Sequence, residues 1–300
     1  MKSLRSLLER RPVASSVAYT VVGVLPLYLT AAQAPRLQTE LGFGKATFGL
    51  VIAAFYLVSS IASRRVGPRL DRLGPSSGLR SSAALTIASA GLIALFARDW
   101  RSMAVFLGIA GLGNAFGQVA SNLVIASRVG SGRQGVAFAA KQAAVPAGAM
   151  LAGLAIPWVG TSVSWRPVYA IAAGLALILL LVAPSFPPTT VTGTKVPRRL
   201  TPELGAFMFA AAIGSGVGNS LASFVSDASV TQGFAEGTAA LMLTVGSLAA
   251  IAARMGAGVT ADRRQKTGVL ELLVLLSVAV VGLGVLAAAG SSSVVFVLGV

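Results

Sequence analysis

Runs of roughly 20 apolar residues recur along this chain, with short segments holding most of its charges between them. A hydrocarbon core about 30 Å thick takes about 17 to 25 residues as a helix. On that ruler spans fall at 13–34, 46–63, 81–97, 102–126, 135–157, 167–183, 204–224, 237–253 and 268–289, with a tenth starting at Val294. Backbone groups inside lipid must pair internally, which leaves helices or a closed barrel. Continuous apolar runs, rather than ten-residue alternating segments, favour helices. The composition agrees: charged residues make up 11% and mean hydropathy is +0.81, where soluble domains carry about 25% charged residues. The expected fold class is an all-α membrane protein.

The net charge of +15 would suggest nucleic acid if it formed one patch. It is instead distributed between spans and marks one side. With the N-terminus on the cytoplasmic side, 18 of the 24 Lys and Arg fall in inner segments, at 1–12, 64–80, 127–134, 185–202 and 254–267. Arg36, Lys45, Arg98, Arg101 and Arg166 fall outside, and Lys141 lies within a span. This asymmetry predicts a multi-pass membrane protein with a cytoplasmic N-terminus. Trp100, Trp158 and Trp165 all fall at outer span ends, where interfacial aromatics are expected. The start of the chain also mimics a secretory signal, ending in Ala32-Gln33-Ala34; an uncleaved first helix is expected.

Cysteine and histidine are absent. That excludes disulfides, thiolate nucleophiles, Cys/His zinc sites and Ser-His-Asp dyads or triads. No acid, base, nucleophile or metal set converges in the spans, so no enzyme, cofactor or metal is expected. A channel would call for charged rings or carbonyl filters.

The proline-rich stretch before position 203 divides the chain. The expected organisation is a six-helix bundle over 1–184, a cytoplasmic linker over 185–202, and an incomplete second bundle over 203–300. Asp71 lies 58 residues after Val13 and Asp262 lies 59 after Glu203, each in a basic loop after the second span of its half. Gly67-Pro68-Arg69-Leu70-Asp71-Arg72 and Gly258-Val259-Thr260-Ala261-Asp262-Arg263 share a G-x-x-x-D-R frame. Parallel repeats are one way to build a transporter, with the substrate site between them.

The doubled loop and the six-plus-six plan resemble the major facilitator superfamily of secondary transporters. Its second-to-third helix loop reads G-x-L-A-D-R-x-G-R-K, with a weaker copy in the second half. Gly67, Asp71, Arg72 and Gly74 match it, as do Gly258, Asp262 and Arg263 in the copy; Pro75-Ser76 replaces two basic residues. Ala140 to Gly148, Gly214 to Asn219 and Gly246-Ser247 are similar to bacterial members. The family's helix 4 Arg is absent, and Pro146 stands two residues before Gly148 in place of a G-P dipeptide, which weakens an antiporter reading. The resemblance implies a permease fold with about nine and a half of twelve helices present. It also implies a bacterial inner-membrane location, gating by the two loops, coupling to a proton or another ion, and a monomer.

A carboxylate in such a loop can bind a helix N-terminus or an Arg across an interface, and a contact made in one conformer is a latch. Lys141 either faces a cavity, favouring an anionic small-molecule substrate, or snorkels to the inner surface. Asn114, Gln118 and Asn122 form an i, i+4, i+8 stripe on the fourth span, and Ser215, Asn219 and Ser223 repeat it on the seventh. Such residues either glue helices together or line an aqueous path. Gln142, Tyr19 and Gln33 are weaker cavity candidates, and Glu271 is the candidate coupling carboxylate. Gly113/Gly117 and Gly214/Gly218 read as close helix contacts. Efflux of lipophilic compounds and uptake of an anionic metabolite both remain open.

Overall fold

The computed structural model describes residues 2–159, 164–187 and 201–264, with positions 277, 280–282, 284 and 285. The expected span 268–289, its Glu271 and the start at Val294 lie outside the continuously described residues. The described elements are helical: α1 (Lys2–Arg10), α2 (Pro12–Ala32), α3 (Ala34–Leu41), α4 (Lys45–Leu73), α5 (Pro75–Phe96) and α6 (Trp100–Arg128). A 3-10 turn at Ser131–Arg133 then leads to α7 (Gln134–Val159), α8 (Pro167–Leu181), α9 (Pro202–Thr231) and α10 (Glu236–Arg264). Five of these, α2, α4, α5, α6 and α10, are long and apolar enough to cross a membrane among the fully described segments.

Helix ends depart from the sequence reading where charges were taken as loop. α4 runs through Arg64, Arg65 and Arg69 to Leu73, and Gly74 alone joins it to α5. Gly74 holds φ 79° and ψ 161°, a region open almost only to glycine. Pro75 then opens α5 at a position where its missing N–H costs nothing. Ser76 Oγ donates to the Phe186 carbonyl at 3.0 Å and accepts from the Phe186 N–H at 2.5 Å. The Pro-Ser pair therefore ties this turn to the segment that follows α8, where the family pattern has basic residues. α10 likewise continues 11 residues past the expected end at 253.

Polarity is arranged for lipid. Leu50, Leu57 and Ile61 on α4 and Leu241, Val245 and Leu248 on α10 are exposed along single faces. Ser15, Ser16, Thr20, Ser82, Thr86 and Ser121 are buried between helices. α2 is central, packing against α5, α6, α7, α8 and α9. One apolar cluster joins Leu27, Phe48, Phe55, Ile93, Leu107 and Trp165; a second, towards the basic loops, joins Val66, Leu70, Leu79 and Val124.

Glycines set the closest approaches. A Cβ on Gly111 would run into the Phe55 carbonyl of α4. Gly113 and Gly117 pack on Ser82 of α5, as the small-residue reading expects, whereas Gly218 meets nothing within 4 Å. Trp165 also departs from expectation: it is buried, under the Arg166 guanidinium at 4.4 Å and edge-on to Tyr169 at 5.8 Å. It is a packing residue rather than an interfacial anchor, while Trp100 is half-buried at the start of α6 and the Trp158 side chain lies outside those described.

Candidate substrate cavity and helix-end contacts

Between the helices of the first half and α9 and α10 lies a cavity of about 230 Å³. Its polar lining comes from Tyr28 on α2, Tyr56 on α4, Asn114 and Gln118 on α6, Gln142 on α7, Ser215 and Asn219 on α9, and Arg254 on α10. Five of these, Asn114, Gln118, Gln142, Ser215 and Asn219, are residues the two polar stripes and the Lys141 neighbourhood single out. A smaller recess of about 100 Å³ continues from it, sharing Tyr28, Asn219 and Arg254.

The stripes do both things open to them. Asn114 Nδ2 donates to Ser59 Oγ of α4 at 2.9 Å, and Gln118 Nε2 donates to Asn114 Oδ1 at 3.3 Å. The same amides face the cavity, so they make hydrogen bonds within the bundle and line the cavity together. Asn219 Nδ2 donates to the Ser215 carbonyl at 2.7 Å, and its Oδ1 accepts from the Tyr28 hydroxyl across the two halves at 3.3 Å. Asn122 is exposed beyond the lining. Ser223 is buried and donates to the Asn219 carbonyl at 2.7 Å, so it too stays out of the lining. Tyr19 Oη donates to the Leu179 carbonyl at 2.6 Å, and Gln33 donates to the Leu29 carbonyl at 3.1 Å; both hold helices rather than face the cavity.

Lys141 does not snorkel. It is 2% exposed, and its Nζ donates to Gln118 Oε1 and, at 3.2 Å, to Gln142 Oε1. An ammonium has three donors and no acceptor, so it fixes which way both amides turn. The cation therefore sits just behind the lining, with two lining residues between it and the cavity.

Arg254 is a correction to the sequence reading, which placed it in an inner loop. It lies in α10 ten residues, about 15 Å, before the helix end, and lines both cavities. It leaves the inner tally one residue smaller. Taking the first charge as the end of the span hid it; the run from Met255 to Ala261, free of charge and proline, was the available signal. Tyr28 and Tyr56 were also missed, because aromatics in an apolar run give no sign of which way they face. The Tyr56 hydroxyl is buried without a hydrogen-bond partner among the described residues.

The two matching Asp-Arg frames, which the structure places in the last turns of α4 and α10 rather than in loops, differ in their surroundings. Asp262 reaches across to the start of α7, where Oδ1 accepts from the Gly135 N–H at 2.7 Å and Oδ2 from the Val136 N–H at 2.8 Å. It satisfies two of the orphan donors at that helix end and meets its partial positive charge. Gly258 permits this approach, since a Cβ there would collide with Ala139 and lie 2.8 Å from the Gly135 carbonyl. Asp71 is exposed and has no hydrogen-bond or ion-pair partner among the described residues. Arg72 and Arg263 are exposed, Gly67 has open space around it, and Gly74 makes the turn.

At the opposite ends of the helices Asp227 of α9 joins α3 and α4. Gln38 Nε2 of α3 donates to its Oδ1 at 2.7 Å, and Lys45 Nζ lies 4.0 Å from Oδ2 while donating to Thr231 Oγ1 at 2.6 Å. The cavity thus has carboxylate contacts between halves at both of its ends. A wider cleft of about 640 Å³, mainly apolar, opens between α4 and α9 and shares Tyr56, Ser215 and Asn219.

The family model described as Major Facilitator Superfamily matches residues 13–300. A search of curated proteins finds no match. Among solved structures, a crystal structure of a D-xylose–proton symporter aligns with TM-score 0.65 at 18% identity, over 95% of this chain and 77% of that one. An in meso crystal structure of the POT family transporter PepTSo aligns with TM-score 0.48 at 16% identity, over 94% of this chain and 61% of that one.

Proposed function

The chain belongs to the major facilitator superfamily, and on that premise we propose that it is a multi-pass permease carrying a small polar solute by alternating access. The observation that carries the reading is the polar cavity lined from both halves, with Tyr28 bonded to Asn219 across it. Its lining of amides, hydroxyls and one guanidinium favours a small polar metabolite over a lipophilic drug.

In this reading residues 1–184 and 203–300 are the two rocking bodies, joined by 185–202. The basic loops face the cytoplasm, in keeping with the Lys and Arg asymmetry. Asp262 on the α7 N-terminus is the inner latch, and Gln38 and Lys45 on Asp227 form the outer one. Asp71, without a partner among the described residues, is the counterpart of Asp262, engaged in another step of the cycle. Transport is coupled to a proton or another ion.

The apolar cleft between α4 and α9 favours a second reading, entry of lipophilic compounds from the bilayer for efflux. Proteoliposome counterflow tests both. Saturable exchange of small polar solutes, insensitive to lipophilic cations, supports the leading reading. Exchange of lipophilic compounds alone would replace it with the second, and non-saturable flux would remove the carrier assignment.

A further inference from the structure

We infer that the cavity binds a small organic carboxylate and that Arg254 is its anchoring residue. The inference rests on the carrier reading above and narrows its substrate class.

Three observations converge. The first is charge. Arg254 is the one charged side chain in the described lining, no carboxylate is among those residues, and no described residue accepts a hydrogen bond from its guanidinium. A charge held inside the membrane without a partner is costly and marks a functional site.

The second is donor and acceptor count. Lys141 already donates to the oxygens of Gln118 and Gln142, Gln118 donates to that of Asn114, and Tyr28 donates to that of Asn219. Each amide oxygen of the lining is thus already engaged. What remains open is mainly donors: the five guanidinium N–H groups, the Gln142 NH2, the second N–H of Gln118 and the Tyr56 hydroxyl. Such a lining complements a ligand rich in acceptors, and the planar fork of Arg suits a carboxylate by two parallel bonds.

The third is placement. Gln118 and Gln142 belong to the first half and Arg254 to the second, so one carboxylate held by both joins the halves. Arg254 also shares α10 with Asp262, eight residues or about 12 Å away, so an anion pulling on Arg254 acts on the helix that carries the latch. Lys141 supplies positive potential from behind the amides.

The test is thermal stabilisation of the purified protein by monocarboxylates of roughly three to six carbons, sized to the cavity. Each is compared with its neutral carboxamide, and inorganic phosphate forms a separate arm. Counterflow of the same solutes is measured in parallel. The expected result is stabilisation by carboxylates and not by carboxamides, with Arg254→Gln weakening apparent affinity at least about 30-fold. Arg254→Lys, which keeps the charge and loses the fork, should recover part of it. Equal stabilisation by carboxamides, stabilisation by phosphate alone, none by any panel member, or unchanged affinity in folded Arg254→Gln protein would each overturn the proposal. If carboxamides still exchange saturably, only the anion assignment fails; if no solute exchanges, the carrier reading fails with it.

Discussion

Replacing Asp262 by Asn probes the contact between α10 and α7 with little change in shape. The carboxylate accepts from the Gly135 N–H at 2.7 Å with one oxygen and from the Val136 N–H at 2.8 Å with the other. Asn offers a single acceptor oxygen, so one bond is lost and the other becomes neutral. A hydrogen bond to a charged group contributes about 1.5–3 kcal/mol, and a negative charge at a helix N-terminus about 0.3–1 kcal/mol. Because Asp262 is partly exposed, the lower ends apply, which gives about 2 kcal/mol. That destabilises the closed arrangement of these helix ends by roughly 30-fold relative to the open one. The chain has no cysteine, so nitroxide labels on cysteines introduced at Ser131 and Arg263 are unique reporters. Electron–electron distance measurements should show a population moving to longer separations in Asp262→Asn. Asp71→Asn, altering an exposed side chain without a described partner, should not move the population to longer separations. An unaltered distribution in folded Asp262→Asn protein, or an equal shift in both variants, would refute the latch.

Gly111→Ala places a methyl group against the Phe55 carbonyl, and the resulting separation of α4 and α6 should cost about 1–3 kcal/mol, read as a lower Tm in detergent. Gln118→Leu takes an acceptor from the buried Lys141 ammonium, with an expected cost of about 1–3 kcal/mol. Adding Lys141→Met should return part of that loss, and strict additivity in the double-mutant cycle would deny the coupling. Asp99 caps α6, and hydrogen bonds from the Ser102 hydroxyl and backbone N–H hold its carboxyl below the usual carboxylate range. Its stabilising contribution is therefore complete above about pH 4 and lost as pH falls through its lowered value. The Tm difference between wild type and Asp99→Ala should accordingly be present at neutral pH and disappear in strong acid.

The amide stripes were legible because an i, i+4 spacing places residues on one helical face whatever the neighbours are. Asn114 and Gln118 confirm that geometry, yet Asn122 and Ser223 obey the same spacing and stay outside the lining. A stripe longer than the cavity passes its ends, and a sequence pattern carries no measure of the cavity's height. Lys141 shows the same limit. Burial cost marked it as unusual, but its position behind Gln118 and Gln142 depends on how α6 and α7 meet.

The sequence by itself determined the helical class, the approximate spans of the described helices and the repeated Asp-Arg frame, and these carried the superfamily. Hydrophobicity and charge act segment by segment through transfer to lipid, so local composition suffices for them. Only the tertiary structure decided how each helix is rotated and what lies beside it. That placed Arg254 in the cavity instead of a loop, turned Tyr28 and Tyr56 inward, and gave Asp262 a helix end to bind while Asp71 has none among the described residues. Those outcomes depend on contacts between helices far apart in the chain, which no single segment encodes.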